Sequence, residues 1–349
     1  KQRILTRLND LHILFLIGIW WKTDTYSYIN FWKSVNSLTV IDRYTKYDHL
    51  FHHFIPNAVG DIKIFSKEDD YLIQQNYEAV TEAELKIWMR LFKNLEKVHK
   101  QYSTREYLDG LRALELTAEK WPNFIELSRL LKKTSGWELT AVAGFLEEWP
   151  YFELHANRKF PVTDIIRQSE QLLQKYKNTP IVNTDEYTPE PDIVHDIIGH
   201  TPMLMNKTYA DFLFDIGQLG FEILNDERNL GPNLVAHNLK RLQNFVWWGY
   251  EFGIQKTPGG SDSYHSQPSD IDHEIFGSGI LSGYDEIMNV VACSKGESDF
   301  SQFFPFDMEE VVMTRFDYSN IQDRYFIIDS MDSLYNDFYD NQNLFFFEG

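Results

Sequence analysis

Cysteine is almost missing from this chain, with Cys293 alone among 349 residues. An internal disulfide is therefore excluded, and soft thiolate ligation of a metal has no residues to draw on. The single thiol suits a reducing compartment, so the expected location is cytoplasmic, and Cys293 reads as a small packed apolar group rather than a nucleophile. Positive charge is short as well: 33 Lys and Arg stand against 52 Asp and Glu, a formal charge of −19. Neither a phosphate backbone nor an acidic lipid surface attracts such a chain, so no nucleic-acid or membrane partner is expected. The apolar run LHILFLIGIWW at 11–21 is 11 residues long and contains His12, too short to span a bilayer. Arg3 and Arg7 precede it as in a signal peptide, yet Trp20, Trp21 and Lys22 offer no small-residue cleavage site, and the run reads as a buried helix or strand. Internal repeats and low-complexity tracts are also missing.

What is present suits one large packed unit. With 43% hydrophobic residues, 15% of the chain aromatic, a core can form without staples. The organisation expected is an extension of unknown role over 1–70 and a principal domain over 71–349. Thr81 and Glu84 make a capping-box pattern, after which Trp88, Leu91, Phe92, Leu95 and Val98 share one helix face. Asn123 opens a second helix with Phe124, Leu127, Leu130 and Leu131 inward, and Leu239, Leu242, Phe245 and Val246 mark a third over 234–250 that ends at Gly253. Strand signals are confined to 279–282 and 325–328, and long loops are expected at 175–186 and 256–273. The fold class is mainly α, a single large helical domain with a few short β-strands.

The chemistry-bearing segment is YTPEPDIVHDIIGHTP at 187–202, where His195 and His200 lie five positions apart on a short apolar helix opened by Pro191 and closed at Gly199. Two imidazoles this close suggest a metal site. On a straight helix of about 100° per residue, positions five apart point roughly 140° away from each other. Gly199 and Pro202 would let the last turn unwind and bring His200 round. Asp192, three residues before His195, could accept the free ring N–H of a metal-bound imidazole. Spacing alone fits equally two unrelated polar positions on a buried helix, because it is not the i, i+4 pattern of zinc proteases. His49, His52 and His53 form a rival cluster with better helical spacing but no accompanying motif, and a polar helix face explains them. His155, His237, His265 and His273 are isolated and read as structural or solvated.

The string PEPDIVHDIIGHTPML resembles the signature of the pterin-dependent aromatic amino acid hydroxylases, the family of phenylalanine, tyrosine and tryptophan hydroxylases. VWWGYEFG at 246–253, IFGSGILSG at 275–283 and RYFIIDSMDSLY at 324–335 are similar to further family blocks, in the family's order. Residues 134–167 resemble the pterin-loop region, most like that of single-domain bacterial phenylalanine hydroxylases. Nothing in spacing selects a third ligand among 52 acidic residues; the resemblance selects Glu251. Two neutral imidazoles and a carboxylate make the facial triad of mononuclear non-haem iron(II) enzymes. The resemblance further implies Arg167 as the fork that grips a substrate carboxylate, with Thr188 and Ser282 beside it. Trp247, Pro191 and Tyr187 would line the amino acid side of the pocket. Gly144, Phe145 and Leu146 would read the pterin through their backbone, Tyr151 would stand where a phenylalanine stacks on the pterin ring, and Asp196 would lie near pterin and metal.

The chain also departs from the family pattern. Tyr187 lies 20 positions after Arg167, a longer connection than the animal enzymes have. Ser282 is followed by Gly283 where paired serines are usual, and Val246 replaces a usual tyrosine. The implied activity is that of an aromatic amino acid monooxygenase using O2, a tetrahydropterin (tetrahydrobiopterin or similar) and mononuclear iron(II), with phenylalanine 4-hydroxylation expected. Alternatives are tyrosine, tryptophan or a specialised-metabolism aromatic substrate, and a relative that binds metal without turnover. With no regulatory domain of the animal type and no C-terminal heptad helix expected, the reading is a monomer or weak dimer.

Overall fold

The computed structural model describes residues 58–59, 72, 74–142, 146, 148–168, 192–258, 269–316 and 321–348. The run at 11–21, the cluster His49, His52 and His53, His265 and the loop 175–186 lie outside them, as does most of the 1–70 segment. Ala58–Val59 pairs antiparallel with Gln74–Gln75, so a short backbone ladder joins the two sides of the boundary expected at residue 70.

Helix α1, Glu82–Tyr102, opens on the anticipated capping box, with Thr81 Oγ1 accepting from the Glu84 N–H and Glu84 Oε2 accepting from the Thr81 N–H at 2.9 Å. Its Trp88, Leu91, Phe92, Leu95 and Val98 are all buried. Helix α2, Arg105–Ala113, meets the segment after His200 at Gly110, where a Cβ would stand 1.9 Å from the Pro202 carbonyl oxygen, so only glycine permits that approach. Helix α3, Phe124–Thr134, is capped by Asn123 Oδ1, which accepts from the N–H groups of Ile125 and Glu126. A parallel pair follows: strand β1, Glu138–Val142, crosses through helix α4, Glu148–His155, to strand β2, Lys159–Thr163.

The second half centres on helix α5, Lys207–Leu224, and helix α6, Pro232–Phe245, whose Leu242 and Phe245 are buried. Beyond α6 come strand β3 (Ile254–Lys256), strand β4 (His273–Ile275), helix α7 (Ser278–Leu281), helix α8 (Tyr284–Ser294), strand β5 (Gln302–Pro305), helix α9 (Met308–Met313), strand β6 (Arg324–Ile328) and helix α10 (Met331–Asp340). The small sheet runs β4-β3-β6-β5, with only the β3–β4 pairing antiparallel. The fold is mainly α with few short strands, as expected. The strand at 325–328 is found as β6, whereas 279–282, expected as a strand, lies mostly within α7. Gly and Ser around two apolar residues suit a tight helical turn against a neighbour as well as they suit an extended run. Among the described residues no helix is long and apolar enough to cross a membrane.

One continuous apolar core runs through both halves, with Trp88, Trp137 and Trp248 fully buried. Each such side chain contributes about 1.5–3 kcal/mol. Asp164 and Glu286 are among the carboxyls buried with it. Asp164 accepts from Gln75 Nε2 at 3.2 Å and its other oxygen has no partner; burial pushes it up to about 7. Glu286 accepts from the Tyr325 hydroxyl at 2.6 Å and the Gln322 N–H, and burial likewise raises it to about 7. Both folded values lie above those of an unfolded chain, so the folded state holds protons that the unfolded state releases. Their contribution to stability should fall as pH rises from about 4 to about 7, by at most about 1.4 kcal/mol per unit for each group, while the buried imidazoles of His99 and His155, lowered to about 4 by burial, act in the opposite sense. Asp164→Asn removes one of these titrations. Urea denaturation between pH 5 and 8 should show the variant gaining on the wild type as pH rises; a pH-independent difference would refute the assignment.

Candidate metal centre

Two underwound segments carry the site. Val194–His200 is a π-helix, and Val246–Glu251, continuing α6, is another. In the first, the Thr201 N–H bonds back five residues to the Asp196 carbonyl at 3.3 Å; in the second, Phe252 N–H reaches the Trp247 carbonyl at 2.8 Å. Closing hydrogen bonds five residues back brings residues five apart nearly into line, so His195 and His200 face one point. The expected unwinding is therefore corrected in kind: the helix is expanded through its length and does not fray at Gly199. Gly199 serves close packing, since a Cβ there would stand 2.7 Å from the Ser278 carbonyl oxygen.

His195, His200 and Glu251 converge, each offering one ligand atom, with those atoms all within 4.8 Å of one another. The two Nε2 atoms are 3.1 Å apart, and Glu251 Oε1 lies 3.3 Å from His200 Nε2. The remaining atoms of each group are held. His195 Nδ1 meets Ser282 Oγ at 3.0 Å, His200 Nδ1 meets the Tyr250 hydroxyl at 3.1 Å, and Ser278 Oγ donates to Glu251 Oε2 at 2.7 Å. Both Nε2 atoms thus turn inward with the carboxylate, a donor set suited to a divalent cation of borderline hardness. Burial drives His195 toward the neutral form. Burial alone would raise Glu251, but the facing imidazoles and the Ser278 hydroxyl outweigh it and hold it below the usual carboxylate range. These are the protonation states in which such groups bind metal.

Asp192 has a different role from the one expected. It does not take the ring N–H of His195. Its Oδ1 accepts from the His195 backbone N–H at 3.0 Å, and both oxygens face Arg167, at 2.7 Å from Nη2 and 2.9 Å from Nε. The Arg167 N–H also donates to Asp192 Oδ2 at 2.7 Å, and Nη1 donates to the Ser282 carbonyl at 3.0 Å. With the Arg167 fork and the backbone N–H groups of Arg167 and His195, the carboxylate already accepts four hydrogen bonds and has no acceptor site left for an imidazole, and Ser282 takes that position.

The other residues proposed for the site are less closely grouped. Asp196 is buried beside His195, and its Oδ2 accepts from the Thr163 N–H at 2.7 Å; burial raises its pKa well above the usual range. Tyr151 is half-buried on α4, its ring 4.1 Å from that of His155, a buried core imidazole whose Nδ1 meets the Tyr151 carbonyl at 2.7 Å. Trp247 stacks on Phe316 at 4.2 Å and on Phe252 at 4.7 Å, and its indole N–H donates to Gln322 Oε1. Leu146 is half-buried. Gly144, Phe145, Tyr187, Thr188 and Pro191 lie outside the described residues. Sequence reasoning missed Tyr250 and Ser278 as partners of ligands. Tyr250 directly precedes Glu251 and Ser278 sits within IFGSGILSG, so both were in view, but no periodic rule marks them.

A family model described as biopterin-dependent aromatic amino acid hydroxylase matches residues 57–343. A phenylalanine-4-hydroxylase of Caulobacter vibrioides is 32% identical over 271 residues, covering 76% of each chain. A crystal structure of Chromobacterium violaceum phenylalanine hydroxylase with bound iron(III) and 7,8-dihydrobiopterin superposes with a TM-score of 0.63 at 28% identity, over 80% of this chain and 88% of that one. An iron- and phenylalanine-bound structure of the same enzyme gives 0.61 at 28%, over 79% and 87%. With a matched span that takes in both π-helical segments and α7, the chain belongs to the biopterin-dependent aromatic amino acid hydroxylase family.

Proposed function

We propose that this chain hydroxylates the ring of a free aromatic amino acid, with phenylalanine as substrate and position 4 as the site of attack, using O2, iron(II) and a tetrahydropterin. The convergence of His195, His200 and Glu251 carries the reading. These three residues would hold the iron(II), a donor set that leaves coordination positions for oxygen and water. Iron(II) and the reduced pterin supply the electrons that let triplet dioxygen react with a closed-shell ring. The protein's own work is to orient the partners and exclude water. Arg167, fixed in its plane by Asp192 and the Ser282 carbonyl, is suited to grip the amino acid carboxylate, with Thr188 beside it. Trp247, held edge-on by Gln322 and face-on by Phe316 and Phe252, is suited to wall the aromatic side with Tyr187 and Pro191. The pterin falls to 144–146, Tyr151 and Asp196. The likeness to proteins named phenylalanine hydroxylase in Caulobacter and Chromobacterium, one of them with phenylalanine bound, supports phenylalanine over tyrosine or tryptophan as the substrate here.

Iron-loaded protein given tetrahydrobiopterin, oxygen and each of phenylalanine, tyrosine and tryptophan should convert phenylalanine to tyrosine, as read by chromatography. No hydroxylated product from any of the three refutes the activity. His195→Ala should lose stoichiometric iron in metal analysis, and retained iron refutes the ligand assignment. Asp192→Ala leaves Arg167 buried beside a lost partner, and chemical denaturation should show a loss of about 3–5 kcal/mol; a loss below 1 kcal/mol, the ordinary value of an exposed pair, would show that the fork is not held this way.

A further inference from the structure

His200 is oriented by a group of a different kind from the one that orients His195. Its Nδ1 lies 3.1 Å from the hydroxyl of Tyr250, and the two rings are stacked at 5.3 Å with 26° between their planes. On its other side Tyr250 stacks against Tyr209, centroids 5.2 Å apart and planes 19° apart. Both tyrosines are buried, at 0% and 1% exposure, so neither hydroxyl can turn to solvent. The Tyr209 hydroxyl, carried on the ring next to that of Tyr250, has no hydrogen-bond partner.

An imidazole that offers Nε2 to a metal carries its proton on Nδ1 and donates it. At His200 the acceptor is then the Tyr250 oxygen. The Tyr250 proton must point elsewhere, because a buried O–H without an acceptor costs free energy, and the Tyr209 oxygen is the unpartnered acceptor next to it. A phenylalanine would fill the space of Tyr250 without this requirement, so packing does not account for the hydroxyl. We propose that Tyr250 is a positioning residue for the metal centre, its phenol fixing the tautomer and plane of His200 while its own O–H, keeping its proton, turns toward the Tyr209 oxygen. The inference rests on the reading of His200 as an iron ligand. It gives the second π-helical segment two tasks: Glu251 faces the metal directly, and the residue before it aims the imidazole from the first segment.

Tyr250→Phe and Tyr209→Phe keep both rings and remove one hydroxyl each. The measurements are iron(II) affinity by anaerobic competition with a chromophoric chelator, the d–d spectrum of the cobalt(II)-loaded protein, and the melting temperature of the apoprotein. Tyr250→Phe should weaken iron(II) binding by about 10-fold or more and shift the cobalt bands, while the apoprotein melts where the wild type does. Tyr209→Phe should weaken it in the same sense by less. Wild-type affinity and an unchanged cobalt spectrum in Tyr250→Phe overturn the proposal, and so does a fall in apoprotein melting with no change at the metal. Should Tyr250→Phe fail to fold, unchanged affinity and bands in Tyr209→Phe overturn it instead. His200→Ala separates the two levels: retained stoichiometric iron refutes the ligand reading itself, whereas lost iron beside an unaffected Tyr250→Phe refutes the role of Tyr250 alone.

Discussion

Two histidines five residues apart can serve one ion only if the helix between them closes its hydrogen bonds over five residues, and much else in the structure follows from holding that register. An α-helical turn would send His200 roughly 140° away from His195. The π-turn is rarely stable by itself, and here it is braced on several sides. Tyr107 donates to the Ile198 carbonyl at 2.9 Å, and His99, packed edge-on against Tyr107, meets the Leu281 carbonyl at 2.7 Å. Gly199 lets the segment press against Ser278, and Gly110 lets α2 press against Pro202 just beyond it. The long helix α1 therefore does more than fill the core, since it ties the first ligand segment to α7.

Helix α7 is the element that coordinates the rest. At its start Ser278 holds Glu251, and just past its end Ser282 holds the ring of His195 through its hydroxyl and Arg167 through its carbonyl. A one-turn helix has little stability to contribute. Its value is that its two ends lie about one turn apart, near the spacing of the groups they must reach. A strand at the same place would keep both serines on one face but set them about 13 Å apart, against about 6 Å in a helical turn, too far to reach Glu251 and His195 together, which is the physical reason that the strand reading of 279–282 fails.

The parts of the fold governed by local rules were legible in the residues. The capping box at Thr81, the Asn123 cap and the apolar faces of α1 and α3 follow from side-chain chemistry within a few positions, and the structure has them. The extent of the helix through Leu242 and Phe245 was also legible, but its change to π geometry at Val246 was not, because a wider turn alters which residues face inward without altering composition. The pairing of His195 with His200 was visible as a motif, whereas Glu251 came only through resemblance. Contacts across the fold had no local signal. Asp192 was read as a partner of its helical neighbour because Arg167, 25 positions away, could not be seen to compete for it.

That competition bears on how this centre couples its substrate to its metal. Arg167 and His195 never touch in the hydrogen-bond network, yet both lean on Ser282 and both lean on Asp192, through its carboxylate to the guanidinium and to the His195 N–H. A carboxylate arriving at Arg167 would draw charge from the Asp192 pair and strain two contacts that set the His195 ring and backbone. Gly283, in place of a second serine, brings no hydroxyl of its own to back up Ser282 in this task. Two residues, Ser282 and Asp192, therefore stand between the proposed amino acid clamp and the proposed iron ligand, and small displacements at one are transmitted to the other through closely packed contacts rather than through a loop.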